Sequence, residues 1–326
     1  MRPVESLFSM AEDLYFDVQT IIFVVLLIRL CRNWPAIMKR WAKVDEKFEK
    51  YRNLNKLLIQ LRLTSSIYFL ISIGDYVLYI TNVICYLPEN WSFETYCVFL
   101  YDYSDEEEHE KFSTILGLIL CVIDAMLSFT LYNVNLFLIA ITTCLAEKFR
   151  QINAGVENAL KENTKEVAFW KTLREDYNDA FELYKLVNKE ISSLLIFVFL
   201  YNFYAVIAQL YKATLLRESS NSGMGYLFFV YSFLFLLFRT GATCLHGSNV
   251  VEESVKIKLN LLSVSSEAYN SEIEKLICTI HFVPPVLSGK RFFYLTRPLI
   301  LRIAMAIATY ELILIQFHML GDDIVK

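Results

Sequence analysis

The chain has 326 residues, a formal charge of −4, 56% hydrophobic residues and a mean hydropathy of +0.40. That apolar share exceeds the roughly one-half typical of soluble globular domains and points to a membrane protein. It contains no basic block of the kind that neutralises phosphates, so no nucleic-acid partner is expected.

A bilayer core needs roughly 20 helical residues, and six stretches approach or exceed that length: 14–31, 63–87, 112–145, 191–210, 224–238 with its flanks, and 299–320. A lipid-exposed backbone must satisfy its own hydrogen bonds, so each is expected to be α-helical. The expected fold class is therefore all-α, a polytopic membrane protein with six transmembrane helices and long cytoplasmic helical extensions. The third stretch would be about 51 Å long at 1.5 Å per residue, longer than the membrane is thick.

Orientation follows from lysine and arginine. Residues 29–62 carry ten of them against three acids, whereas residues 88–113 carry one lysine against eight acids. The positive-inside rule puts connection 32–62 in the cytoplasm and connection 88–113 outside. Asn90-Trp91-Ser92, the one N-x-[ST] sequon in the chain, falls in the acidic connection and makes Asn90 a candidate glycosylation site. Alternation then places 147–190 and 241–297 inside and the C-terminus outside. Met1 would also be outside, an oddity for a chain with no recognisable signal peptide.

The expected layout is N-terminal transmembrane helices over 14–145, a cytoplasmic helical extension over 146–190 and two further spans over 191–243. A cytoplasmic anchor connection (244–298) and a last helix (299–320) complete it. Within the extension, Val167, Trp170, Leu173, Tyr177, Phe181, Tyr184 and Val187 recur at spacings of three and four, the stripe of one amphipathic helix. Phe149, Ile152, Val156 and Leu160 extend the preceding span in the same way, and Lys161-Glu162-Asn163-Thr164 is the expected turn. Two tall helices packed as an antiparallel pair result.

No catalytic signature appears. His109, His246, His281 and His318 are scattered, and neither zinc-ligand spacing nor hydrolase, P-loop or dinucleotide motifs occur. The chain is thus expected to be neither an enzyme nor dependent on a metal or cofactor. Of seven cysteines, Cys85 and Cys97 lie at or in the external connection, where a disulfide could persist.

What remains is a set of polar groups inside the spans, where a mid-membrane carboxylate costs roughly 2.5–3.5 kcal/mol on insertion scales. Asp75 and Asp124 sit near helix centres. Asn82, Asn133, Asn135, Asn202 and Gln209 add amides, while Tyr76, Tyr79, Tyr201, Tyr204 and Tyr231 add hydroxylated rings. Any one of them can be explained by interhelical hydrogen bonding. Together, Tyr79, Asn82, Asp124, Asn202, Gln209 and Tyr231 are candidate ligand-binding residues, because rings mixed with amides suit a hydroxyl-rich molecule.

The last span ends in TYELILIQF, and its pattern of T-Y, five residues, Q-F resembles the signature of insect gustatory receptors at Thr309, Tyr310, Gln316 and Phe317. Asn33-Trp34-Pro35 through Trp41 and Val44-Asp45-Glu46 is similar to that family's first cytoplasmic connection. SGKRFFYLTRPLILRIAMAIATYELILIQF, with Glu311 after the tyrosine, resembles the sugar-receptor branch. That family has seven spans, so the six here correspond to its second to seventh, and the resemblance implies that the first is absent from this chain.

The resemblance further implies a homo- or heterotetrameric ligand-gated cation channel in the plasma membrane, whose last helices line a central pore. Its partners would be a small-molecule tastant, expected to be a sugar, other gustatory receptor subunits, membrane lipid and permeating cations. On the helix Tyr310 and Phe317 fall within about 20° of one face, and Gln316 lies about 100° from Phe317. Phe317 would then close the pore and Gln316 line it, making Tyr310, Gln316 and Phe317 the pore and gate candidates. A bitter or other apolar tastant stays open as the ligand. A G-protein-coupled receptor would carry D-R-Y and N-P-x-x-Y motifs, absent here, and a secondary transporter would show related halves with interrupted helices, of which the sequence gives no sign.

Overall fold

The computed structural model describes residues 3–51, 54–100, 113–218 and 223–325, with side chains described for 18–49, 56–100, 113–210, 223–310, 312, 313 and 316. The chain is almost wholly helical. In order come α1 (Pro3–Lys47), a 3-10 turn (Phe48–Tyr51), α2 (Leu54–Cys85), α3 (Phe93–Leu100), α4 (Thr114–Lys161), α5 (Val167–Glu218) and α6 (Gly223–Leu262). After them come α7 (Ser271–Phe282), a two-stranded hairpin of β1 (Ser288–Gly289) and β2 (Phe293–Tyr294), and α8 (Arg297–Val325).

Among the described residues, five helices are long and apolar enough to cross a membrane: Val18–Lys47, Lys56–Cys85, Thr114–Lys161, Val167–Leu210 and Gly223–Leu262. The sixth expected span, 299–320, falls in α8, much of whose side-chain detail lies outside the described residues.

Two compact units share these helices. Unit 1 gathers 1–61, 138–201 and 241–304, and unit 2 gathers 62–137, 202–240 and 305–326. In unit 1 the expected stripe is the core. Trp170, Leu173, Tyr177, Phe181, Tyr184 and Val187 are buried, and only Val167, at the helix start, is exposed. Phe149, Ile152 and Val156 of α4 are buried too, and the Phe149 and Tyr177 rings meet edge to face at 5.6 Å. Burying each such apolar side chain stabilises the fold by roughly 1.5–3 kcal/mol.

The turn between α4 and α5 falls where the sequence places it. Asn163 adopts φ 49°, a left-handed conformation that asparagine tolerates better than most residues. Thr164 N–H donates to the Ala159 carbonyl at 2.9 Å and Asn163 N–H to that of Leu160 at 3.2 Å, the paired bonds of a Schellman cap. At the other end of the unit Asn270 caps α7, its Oδ1 accepting from Glu272 N–H and Ile273 N–H. This cap directs Ile273, Leu276 and Ile280 into the core. The hairpin turns through Lys290 (φ 49°) and Arg291 (φ 67°), closed by Phe292 N–H on the Gly289 carbonyl at 2.9 Å.

Several ion pairs tie the helices of unit 1 together. Arg40 and Lys47 both reach Asp179, Lys148 reaches Asp45, and Arg150 bridges Glu147 (2.7 Å) and Glu253 (3.5 Å). Arg174 Nε lies 2.6 Å from Glu272, joining α5 to α7, and Arg297 meets Glu252. The Glu272 carboxyl is held below the usual carboxylate range by Lys275 first and Arg174 second.

Candidate ligand-binding and pore residues

Unit 2 carries the polar groups singled out in the sequence, on four helices. Tyr79 and Asn82 lie near the C-terminal end of α2 and Asp124 near the N-terminal end of α4. Asn202 and Gln209 occupy the C-terminal part of α5, and Tyr231 the N-terminal part of α6.

The structure joins several of them, directly or through an intermediary. Gln209 Nε2 donates to Ser232 Oγ at 2.9 Å, and the neighbouring Tyr231 hydroxyl donates to the Ile71 carbonyl at 3.0 Å. That approach needs a glycine: a Cβ on Gly74 would overlap the Tyr231 hydroxyl. Asn202 Nδ2 donates to Asn135 Oδ1 at 3.3 Å. Tyr79 packs its ring 6.1 Å from Phe228 and 6.3 Å from Tyr76. Asp124 forms none of these bonds, but lies close enough to Tyr76 and Tyr79 to act on them electrostatically.

At the centre of the unit, the Tyr68 hydroxyl donates to the Tyr132 carbonyl at 2.7 Å, and the Tyr132 hydroxyl donates to Asp75 Oδ2 at 2.8 Å. The Arg239 guanidinium sits over the Tyr132 ring at 5.7 Å and the Phe235 ring at 5.9 Å.

Among the buried side-chain atoms these bonds leave over, oxygens predominate. Asp75 Oδ1, Asn82 Oδ1, Asn133 Oδ1, Asn202 Oδ1 and Gln209 Oε1 are buried acceptors without a hydrogen-bond donor among the described residues. For Asn133 the assignment is unambiguous, since its Nδ2 donates to the Phe129 carbonyl at 2.6 Å and only the oxygen is left. A buried polar atom left unsatisfied costs roughly 1–3 kcal/mol, so each of these positions favours whatever brings an O–H or N–H donor to it. Between α2 and α4 a cavity of about 400 Å³ opens, walled by Ile73, Val122, Met126 and Phe129, with Ser72, Tyr76 and Tyr132 also on its lining. Its volume lies within the range of small-molecule sites.

On α8, Tyr310 is half-buried against a cluster of Val206, Leu210 and Leu236 from α5 and α6. Gln316 is exposed. Phe317 belongs to the helix, but its side chain, like that of Glu311, lies outside the described residues. Asn90 is exposed in the turn between α2 and α3, where Trp91 N–H donates to the Pro88 carbonyl at 3.0 Å.

Sequence reasoning missed Gly74, Ser232, Tyr132 and Arg239. Glycine and serine leave no periodic mark, and Tyr132 was indistinguishable from other ring residues. Arg239 was legible: it is a charge one residue beyond the apolar stretch 224–238, and it is 3% exposed.

A sequence model described as "Trehalose receptor" matches residues 6–323. The chain is 30% identical over 310 residues to a Drosophila melanogaster gustatory receptor for sugar taste, 64a, across 90% of this chain and 66% of that receptor. It is 27% identical over 313 residues to gustatory receptor 5a for trehalose of the same organism, across 94% of this chain and 69% of that one. The chain thus spans about two thirds of the length of the relatives it matches. In fold it is similar to the insect olfactory receptor OR5 from Machilis hrabei, solved in complex with eugenol, with a TM-score of 0.69 at 15% identity over 92% of this chain and 78% of that one.

Proposed function

The chain belongs to the trehalose receptor family of insect gustatory receptors, and from that premise we propose that it is a subunit of a sugar-gated, non-selective cation channel of the plasma membrane. The observation that carries the ligand class is the set of five donor-less oxygens on the helices of unit 2. Sugar hydroxyls are donors, and the C–H faces of a sugar ring pack on aromatic rings such as Tyr79 and Phe228. Each sugar hydroxyl exchanges a bond with water for one with protein at a net of roughly 0.5–1.5 kcal/mol. A few such bonds give millimolar affinity, about −4 kcal/mol.

The same helices offer a route to the pore. Gln209 precedes Leu210, Ser232 lies about one helical turn before Leu236, and these leucines pack against Tyr310 of α8. A ligand that repositions α5 against α6 would shift the seat of Tyr310 and turn α8. In a homo- or heterotetramer of such subunits, Gln316 would line the pore and Phe317 close it by dewetting. Exposed Phe282 (76%) and Phe292 (86%) on unit 1 supply apolar contact surface for assembly. In this reading α8 is the sixth span and the C-terminus is extracellular.

A second reading has one observation in its favour: the mainly apolar walls of the cavity between α2 and α4 suit a bitter or other apolar tastant. Recording from excised patches without nucleotide, during exposure to mono- and disaccharides and to apolar tastants, tests both. Sugar-evoked current that weakens in Asn202→Leu, Gln209→Leu and Tyr79→Ala supports the sugar channel. Activation by apolar compounds alone, with these variants behaving as wild type, contradicts it.

A further inference from the structure

The fold brings two thiols into contact. Cys97 on α3 is fully buried, Cys121 on α4 is partly buried, and their sulfurs lie 3.8 Å apart. In sequence Cys85 is the other thiol at the external connection, but Cys85 is exposed at the end of α2, while Cys97 meets Cys121. Rotation of the two side chains from a sulfur contact of this kind can bring them into bonding geometry.

The helix that carries Cys97 needs a tether. α3 has eight residues, too few for a helix to persist alone in water, and its N-terminus is held by Thr95 N–H on Ser92 Oγ at 3.2 Å. Tyr96, adjacent to Cys97, lies close enough to Tyr76 and Asp124 to interact with them electrostatically. Cys121 and Asp124 are three residues apart and share one face of α4. α3 therefore docks on the face of α4 that carries a candidate ligand residue.

We propose that Cys97 and Cys121 form a disulfide that staples α3 to α4 beside the candidate ligand site. The inference rests on the orientation argued above, in which connection 88–113 matures in the lumen of the secretory pathway, where disulfides form and persist. A disulfide-bearing oxidoreductase of that compartment is the oxidant. The Cys97 thiolate attacks its disulfide to give a mixed disulfide, and the Cys121 thiolate then attacks the Cys97 sulfur. The oxidoreductase leaves as a dithiol, having accepted two electrons, and two protons pass from the receptor thiols. Burial of Cys97 afterwards shields the bond from exchange.

The test is peptide mapping of the chain purified from insect-cell membranes, denatured in N-ethylmaleimide and digested without reductant. The expected result is a peptide pair linked through Cys97 and Cys121 that separates in dithiothreitol. Both cysteines alkylated before reduction, or Cys97 linked to Cys85, would overturn the proposal. Glycosidase treatment of the same preparation separates this proposal from its premise. Free thiols with a glycan on Asn90 overturn the disulfide alone, and free thiols with Asn90 unmodified and cleavable by protease from the cytosolic side overturn both.

Discussion

Unit 1 and unit 2 are built from overlapping helices yet differ in how completely their buried polar groups are matched. In unit 1 the ion pairs described above and buried hydrogen bonds such as Tyr177 with Ser254 (2.9 Å) match donor to acceptor across a ring-filled core, and the unmatched side-chain oxygens among its described residues are those of Gln19, Thr20 and Gln151. In unit 2, Asp75 and Asn202 are 3% and 2% exposed, and each keeps an oxygen that no described donor reaches. A satisfied core rigidifies, whereas a half-satisfied polar network costs stability that a suitable ligand can return. The difference teaches where to look for recognition: in the region where more of the buried oxygens remain unmatched.

The largest expected effect is on unit 1. Tyr177 is fully buried between Phe149 and Phe181, so Tyr177→Ala should cost about 3–5 kcal/mol, read as a lower Tm of detergent-solubilised protein. Loss of ligand response in this variant would follow loss of the folded protein, with no selectivity among ligands. Next comes a substitution with the opposite signature. Gln209→Leu removes an unsatisfied oxygen together with the Nε2 bond to Ser232 Oγ, so Tm should change little while the sugar response falls at least about tenfold. A Tm loss like that of Tyr177→Ala would erase the contrast between the units.

A subtler break is Gly74→Ala. The added methyl would displace the Tyr231 hydroxyl from the Ile71 carbonyl, losing a bond worth about 1 kcal/mol and tilting the α2–α6 contact. Sugar dose–response curves should shift, and Tyr231→Phe combined with Gly74→Ala should be no worse than Gly74→Ala alone.

The smallest effect concerns pH. Glu272 has a folded pKa below its ordinary value of about 4.3, so its contribution is fully present above that value. It is lost as pH falls through the lower folded pKa, when the contacts with Lys275 and Arg174 lose their charge. Glu272→Gln should flatten the acid limb of Tm against pH below about pH 4.3 and leave neutral stability little changed.

How much of this was readable beforehand depended on periodicity. The stripe from Trp170 to Val187 and the turn at Asn163 were legible because a 3.6-residue repeat and a break in it are local properties. The candidate ligand residues were legible as types, since an amide or carboxyl inside a membrane span stands out against its neighbours. Their partnerships were not. Gln209 with Ser232 and Tyr231 with Ile71 depend on which helix faces lie together, and Gly74 signals nothing until the tyrosine opposite it is placed. The contact of Cys97 with Cys121 at 3.8 Å was not legible for the same reason, since Cys85 is the nearer thiol in sequence.

The central claim is that the unmatched oxygens of unit 2 accept hydroxyl donors from a sugar. The most direct test is the sugar dose–response of current in wild type and Gln209→Leu at equal surface expression. The account predicts a curve displaced at least about tenfold to higher sugar concentration, with the unliganded current unchanged. Superimposable curves would contradict it.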